Sequence, residues 1–153
     1  MKKYLFLCII TLLVISGCVD KIQTQIKAET MGWDQAKYED YSKYYDKVRP
    51  PYTNAQTLVF DIKDKLLDMH SDGSEFERTW YLAFSNLQNG LELRARADDF
   101  VCLPGDKGSI SENNLDVAAI NACSKRKTLL QESGVYFQKA FEYRKKVEEM
   151  KPK

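Results

Sequence analysis

The sequence predicts an all-α domain, an up-down bundle of about four helices ending in a long C-terminal one. Three observations carry this. Apolar residues recur at helical spacing in four segments, no β-branched alternating run of useful length occurs, and Ser/Thr capping signatures stand ahead of two of the segments. Short loops between such segments favour antiparallel neighbours.

The first segment runs from about Lys21 to Lys47, with Ile22, Ile26, Trp33, Tyr41, Tyr44 and Val48 as its expected inner face and Gly32 as a weak point midway. Arg49-Pro50-Pro51 ends it, because proline lacks a donor and pushes the residue before it out of helical conformation. A second helix is expected over Asn54–His70, opened by a capping box of Thr53 and Gln56. Its stripe is Leu58, Val59, Ile62, Leu66 and Met69. Ser71-Asp72-Gly73 reads as a turn. The third starts at the capping box Ser74-x-x-Glu77, with Phe76, Trp80, Ala83, Phe84, Leu87, Leu91 and Val101 facing inward, and Pro104-Gly105 and Gly108 break the chain after it. The fourth covers about Asn114 to Met150. Leu115, Ala119, Ala122, Leu129, Leu130, Phe137, Ala140, Phe141, Val147 and Met150 lie on its inner side, and Gly134 is a possible kink.

The amino terminus has a different character. Lys2 and Lys3 precede an apolar run from Tyr4 to Ile15 that only Thr11 interrupts. At about a dozen residues the run falls short of the roughly 20 needed to span a bilayer, and with its cationic start it reads as a signal peptide. The boundary Ile15-Ser16-Gly17-Cys18 resembles the lipobox of prokaryotic lipoproteins, with Ile where Leu is usual. The resemblance covers residues 1–18. It implies cleavage after residue 17 and a diacylglycerol thioether on Cys18, with the helical domain 18–153 tethered through it. In bacteria the new amino terminus is often acylated too, palmitate being a typical chain. Two or three acyl chains, at about 0.8 kcal/mol per buried CH₂, anchor stably where one is marginal. In Gram-negative lipoproteins an Asp directly after the cysteine favours inner-membrane retention. Val19 stands there and Asp20 follows, so the resemblance implies the outer membrane, facing the periplasm, if the source is Gram-negative.

Cysteine usage follows from that compartment. Of the four cysteines, Cys8 leaves with the signal and Cys18 takes the lipid, so Cys102 and Cys123 are the expected disulfide. A loop of about 22 residues closed in this way contributes roughly 3 kcal/mol in the chain-entropy account. Neither cysteine has a histidine nearby in sequence or a CxxC partner, which argues against a zinc site. Without Lys2 and Lys3, 21 basic residues face 22 acidic ones. Such a balance argues against nucleic acid as partner, since phosphate binding needs a net basic face.

Chemistry-bearing groups are sparse. Trp33, Tyr38, Tyr41, Tyr44, Tyr45 and Tyr52 form the densest aromatic cluster. It has two readings: a face for a sugar, peptide or lipid headgroup, with Trp33, Tyr38, Tyr41 and Tyr45 as contacts, or packing inside the bundle with the remainder on its rim. The single histidine, His70, reads as a helix C-terminal residue favoured by the dipole. Asp98 and Asp99 are adjacent and face different directions on a helix, so they do not flank one bond as an acid/base pair. No nucleophile–base arrangement, phosphate loop or haem-attachment sequence is present. The expectation is therefore a non-catalytic, cofactor-free and metal-free binding or assembly protein, bound to a membrane through lipid and to an envelope protein through a groove between helices. By architecture alone it resembles the pilotins of secretion systems, small helical lipoproteins that escort an outer-membrane subunit. A carrier of a small ligand (sugar, lipid or haem) and a surface-exclusion lipoprotein are the alternatives.

Overall fold

A computed structural model describes residues 21–49, 54–100 and 115–152, and they are all-helical, with no strand among them. Five helices follow in order: α1 (residues 21–30), α2 (Gln35–Val48), α3 (Ala55–Leu67), α4 (Glu75–Asp98) and α5 (Leu115–Met150). Cys8, Cys18, Tyr52, Thr53, Val101 and Cys102 lie outside the described residues. So do the side chains of Leu115 and Ala119.

The expected helix over 21–47 is two helices. Gly32 has φ +74°, the left-handed region that costs glycine little and an L-residue with a Cβ considerably more. Around it the Trp33 N–H donates to the Ala28 carbonyl at 2.9 Å and the Gly32 N–H to Glu29 at 3.0 Å. That pair of bonds is the Schellman arrangement, and it satisfies the terminal carbonyls of α1. Two residues on, Asp34 adopts extended backbone and its side chain accepts from the Lys37 N–H at 3.0 Å, which starts α2. Gly32-Trp33-Asp34 is thus a stop followed by a start. Arg49 is extended (φ −71°, ψ 157°), as the residue before Pro50 should be.

The cap of α3 also differs from expectation. Asn54 takes that position, accepting from the Thr57 N–H at 3.2 Å. On α4 the Ser74–Glu77 capping box forms in both directions. The last helix, α5, is one element of 36 residues, about 54 Å long at 1.5 Å per residue, and its helical assignment passes through Gly134 without a break.

The core gathers on α4. Phe76, Trp80, Ala83, Phe84, Leu87 and Leu91 are all buried, the face their spacing predicts. Around them pack Tyr41, Tyr45 and Val48 of α2, Ala55 and Ile62 of α3, and Ala140 and Val147 of α5. The helix spacings follow residue size. Gly90 lets α5 approach closely enough for Phe137 to occupy the space of the missing Cβ, and the buried Ser133 hydroxyl donates to the Gly90 carbonyl at 2.7 Å. Against α2, α4 presents Trp80 and Phe84 to Tyr41 and Tyr45, with ring centroids 5.7–6.3 Å apart. Edge and tilted contacts of this kind add about 0.5–1.5 kcal/mol each beyond their area.

Three expected inner positions point outward. Ile22 and Ile26 on α1 are 58% and 57% exposed, and Phe141 on α5 is exposed too, while Ala28 is the residue α1 buries. On α2 the buried register is Tyr41, Tyr45 and Val48, and Tyr44 is only half-buried. Each of these segments carries more apolar surface than its neighbours cover. Which part is buried is a matter of helix crossing and not of periodicity.

Candidate functional site

Two regions carry the features of a site: the aromatic cluster between α2 and α4, and a groove between α3 and α4. The cluster is anchored on Trp80, which stacks on Phe84 at 5.6 Å and takes the edge of Tyr41 at 5.7 Å. Tyr41 and Tyr45 are buried there, so their rings serve the core. Trp33 and Tyr38 lie 4.8 Å apart at the margin and are half-buried, and Trp33 also meets Phe76 edge-on at 5.1 Å. Trp33 borders a cavity of about 500 Å³ together with Lys21, Gln25, Ala28, Glu29 and Pro152. Of the four aromatic contacts expected from the sequence, the structure leaves Trp33 and Tyr38 partly open.

Charged groups close the cluster on the α5 side. The Arg144 guanidinium sits 5.0 Å from the Trp80 ring centroid and 5.5 Å from that of Tyr38, and it pairs with Glu148. The Tyr38 hydroxyl donates to the same carboxylate at 2.7 Å. Burial raises Glu148, but the Tyr38 hydroxyl and the Arg144 charge outweigh it and hold the carboxyl below its ordinary range. On the other side Lys65 of α3 pairs with Asp40 at 2.7 Å and lies over Tyr41 and Tyr44 at 5.0 and 5.7 Å. Burial pushes the hydroxyls of Tyr44 and Tyr45 up to about 12. At the start of α4, Lys37 reaches from α2 to Glu77 at 2.5 Å. That hydrogen bond, with the Ser74 N–H bond behind it, lowers the Glu77 carboxyl. These groups tie helices together, and none is paired with a nucleophile.

The second region is more open. Val59 and Phe60 of α3 face Ala95 and Arg96 of α4 across an apolar groove of about 470 Å³, with Gln56 and Glu92 at its edges. Phe60 is 69% exposed, and Leu67, two turns further along α3, is 78% exposed. Seven residues apart, Phe60 and Leu67 fall on one face of α3, and it is an apolar patch of this kind beside a groove, rather than a single exposed ring, that marks an interaction surface. Phe60 and Arg144 do not stand out in the sequence. Phe60 falls off the α3 stripe, and an aromatic residue off the stripe is the signal that would have singled it out.

Other expected positions are unremarkable. His70 is exposed just beyond α3. Asp98 pairs with Arg94 at 3.2 Å on the surface of α4, and Asp99 caps that helix. Cys123 is half-buried on α5, and its expected partner Cys102 is outside the described residues. Among the described residues no group of three or more His, Cys, Asp or Glu could hold a metal ion. Nor, among them, is any helix long and apolar enough to cross a membrane. Set against protein families, characterised proteins and solved structures, the chain matches none.

Proposed function

We propose that this protein is a lipid-anchored, non-catalytic envelope protein that offers its helical domain to a partner protein. Its occupant at the α3–α4 groove is an amphipathic partner helix, with apolar residues against Val59, Phe60 and Ala95 and polar ones towards Gln56, Glu92 and Arg96. The observation that carries this reading is Phe60, an open aromatic beside an apolar groove in a chain of balanced charge. The anchor rests on the lipobox-like Ile15-Ser16-Gly17-Cys18 and the short apolar run before it. The same compartment supports a Cys102–Cys123 disulfide, and the short connections from α1 through α4 support antiparallel neighbours there, in keeping with an up-down arrangement.

A photo-crosslinking residue at Phe60, compared with one at Phe141 on α5, tests the groove in intact envelopes. The expected outcome is a discrete heteromeric adduct from position 60 that Val59→Asp abolishes. Identical adducts from both positions, or none from position 60, would remove the groove from the proposal. A small-ligand carrier keeps one supporting observation, the cavity beside Trp33. A change in tryptophan emission on adding a sugar, lipid or haem, lost in Trp33→Phe, would favour it over the partner-helix reading.

A further inference from the structure

The outward face of α1 is unexplained by the core and by the α3–α4 groove. Ile22 and Ile26 lie one turn apart and are more than half exposed, whereas Ala28 of the same helix is buried. At about 100° per residue, the midpoint between the two isoleucines is roughly 140° around the helix from Ala28, so they look away from the body of the domain. Lys21 and Lys27 are exposed too, but each lies about 120° around the helix from that midpoint, off the stripe. Glu29, which accepts from the Gln25 side-chain amide at 3.2 Å, falls on the stripe's far end. The apolar part is therefore confined to the two turns nearest the amino terminus.

Covalent reach gives this face its neighbour. Cys18 precedes Ile22 by four residues. An extended chain spans at most about 3.6 Å per residue, so the Ile22 backbone stays within about 14 Å of the Cys18 backbone. A sulfur carrying acyl chains sits at the headgroup level, and a tether this short brings the start of α1 to the same level. Two isoleucines pointing outward at the anchored end of α1 match a helix laid with that face about 5–10 Å into the headgroup and acyl boundary.

We propose that the Ile22/Ile26 face of α1 is a lipid-docking face that lays the helix in the interface of the membrane holding Cys18, so that the anchor and α1 together orient the domain. This rests on the lipid-anchor reading above. The occupant is the bilayer surface, not a second copy of the chain or another protein.

The test uses the full-length protein, purified with its native amino-terminal modification and placed in phosphatidylethanolamine/phosphatidylglycerol vesicles with brominated acyl chains. Ile26→Trp and Phe141→Trp introduce reporters at two exposed positions, and the signal of Trp33 and Trp80 is subtracted using the unsubstituted protein. Far-UV circular dichroism checks that both variants fold. The expected result is loss of the residue-26 emission to bromine with little loss at residue 141, together with a mass for the amino-terminal peptide that includes the lipid. Equal quenching at the two positions, or none at residue 26 with Cys18 acylated, overturns the docking face and leaves the anchor standing. An unacylated Cys18 removes both.

Discussion

Gly90→Ala tests the closest contact in the fold. A Cβ at this position would stand 2.6 Å from Cε1 and 2.7 Å from Cδ1 of Phe137, well inside van der Waals contact. In an exposed helix the substitution would stabilise by up to about 1 kcal/mol through the loss of backbone freedom in the unfolded chain. Here the ring has to leave its position, and forcing extra atoms into a packed contact costs about 1–3 kcal/mol. Pushing α5 away would also strain the buried Ser133–Gly90 hydrogen bond, worth about 0.5–1.5 kcal/mol. The net expectation is destabilisation of about 1–2 kcal/mol, a fall in Tm of roughly 3–8 °C for a domain of this size. Urea titration followed by circular dichroism measures it, with an unchanged slope indicating that the folded state is retained. In a Phe137→Ala background the clash is absent, and Gly90→Ala should then stabilise. A rise in Tm for Gly90→Ala alone, or the same sign in both backgrounds, would refute the close-approach argument.

Three further outcomes follow from the same structure. Gly32→Ala should destabilise by about 1–2 kcal/mol, because φ +74° is unfavourable for alanine and its Cβ would meet that of Ser74 at 2.3 Å; an unchanged thermal midpoint would contradict the turn geometry. Tyr44 and Tyr45 have hydroxyls raised from 10 to about 12 by burial, so their neutral forms favour the fold. Stability from this source is complete below pH 10 and lost as pH rises towards 12, and an alkaline titration of ellipticity should show a loss that Tyr45→Phe shifts upward. Glu77 is lowered from 4.5 by the Lys37 hydrogen bond and the Ser74 N–H, so its contribution is present above that value and lost as pH falls below it. Glu77→Gln should flatten the acid limb of a stability–pH curve, and an acid limb identical to that of the unsubstituted protein would mean the pair is not maintained in solution.

Much of the secondary structure was legible from local chemistry. The Ser74–Glu77 box, the stop before Pro50 and the large apolar side chains of the α4 inner face follow from residue type and spacing, because capping and amphipathicity act within one or two turns; the buried Thr79, Gly90 and Ala97 do not. The split at Gly32 was legible too, had the glycine been taken with Asp34 as a C-terminal stop and a new cap. Asn54, a cap as strong as threonine, was hidden by a neighbouring Thr53 at capping-box distance from Gln56. For the sites, the aromatic cluster could be located in the sequence but its division into core and margin could not. Tyr44 and Tyr45 differ by one residue, and only the position of Trp80 and Phe84 decides which is enclosed.

The sequence by itself determined that the described chain is helical and which residues share a helix face, since both depend on neighbours a few residues away. Tertiary structure decided which apolar faces are used. It brought Phe137 over Gly90, set Arg144 on Trp80, and left Ile22, Ile26, Phe60 and Phe141 open. Periodicity ranks faces by polarity, but burial needs a partner surface of fitting shape. That surface is supplied by residues tens of positions away, whose placement depends on how closely each pair of helices can approach.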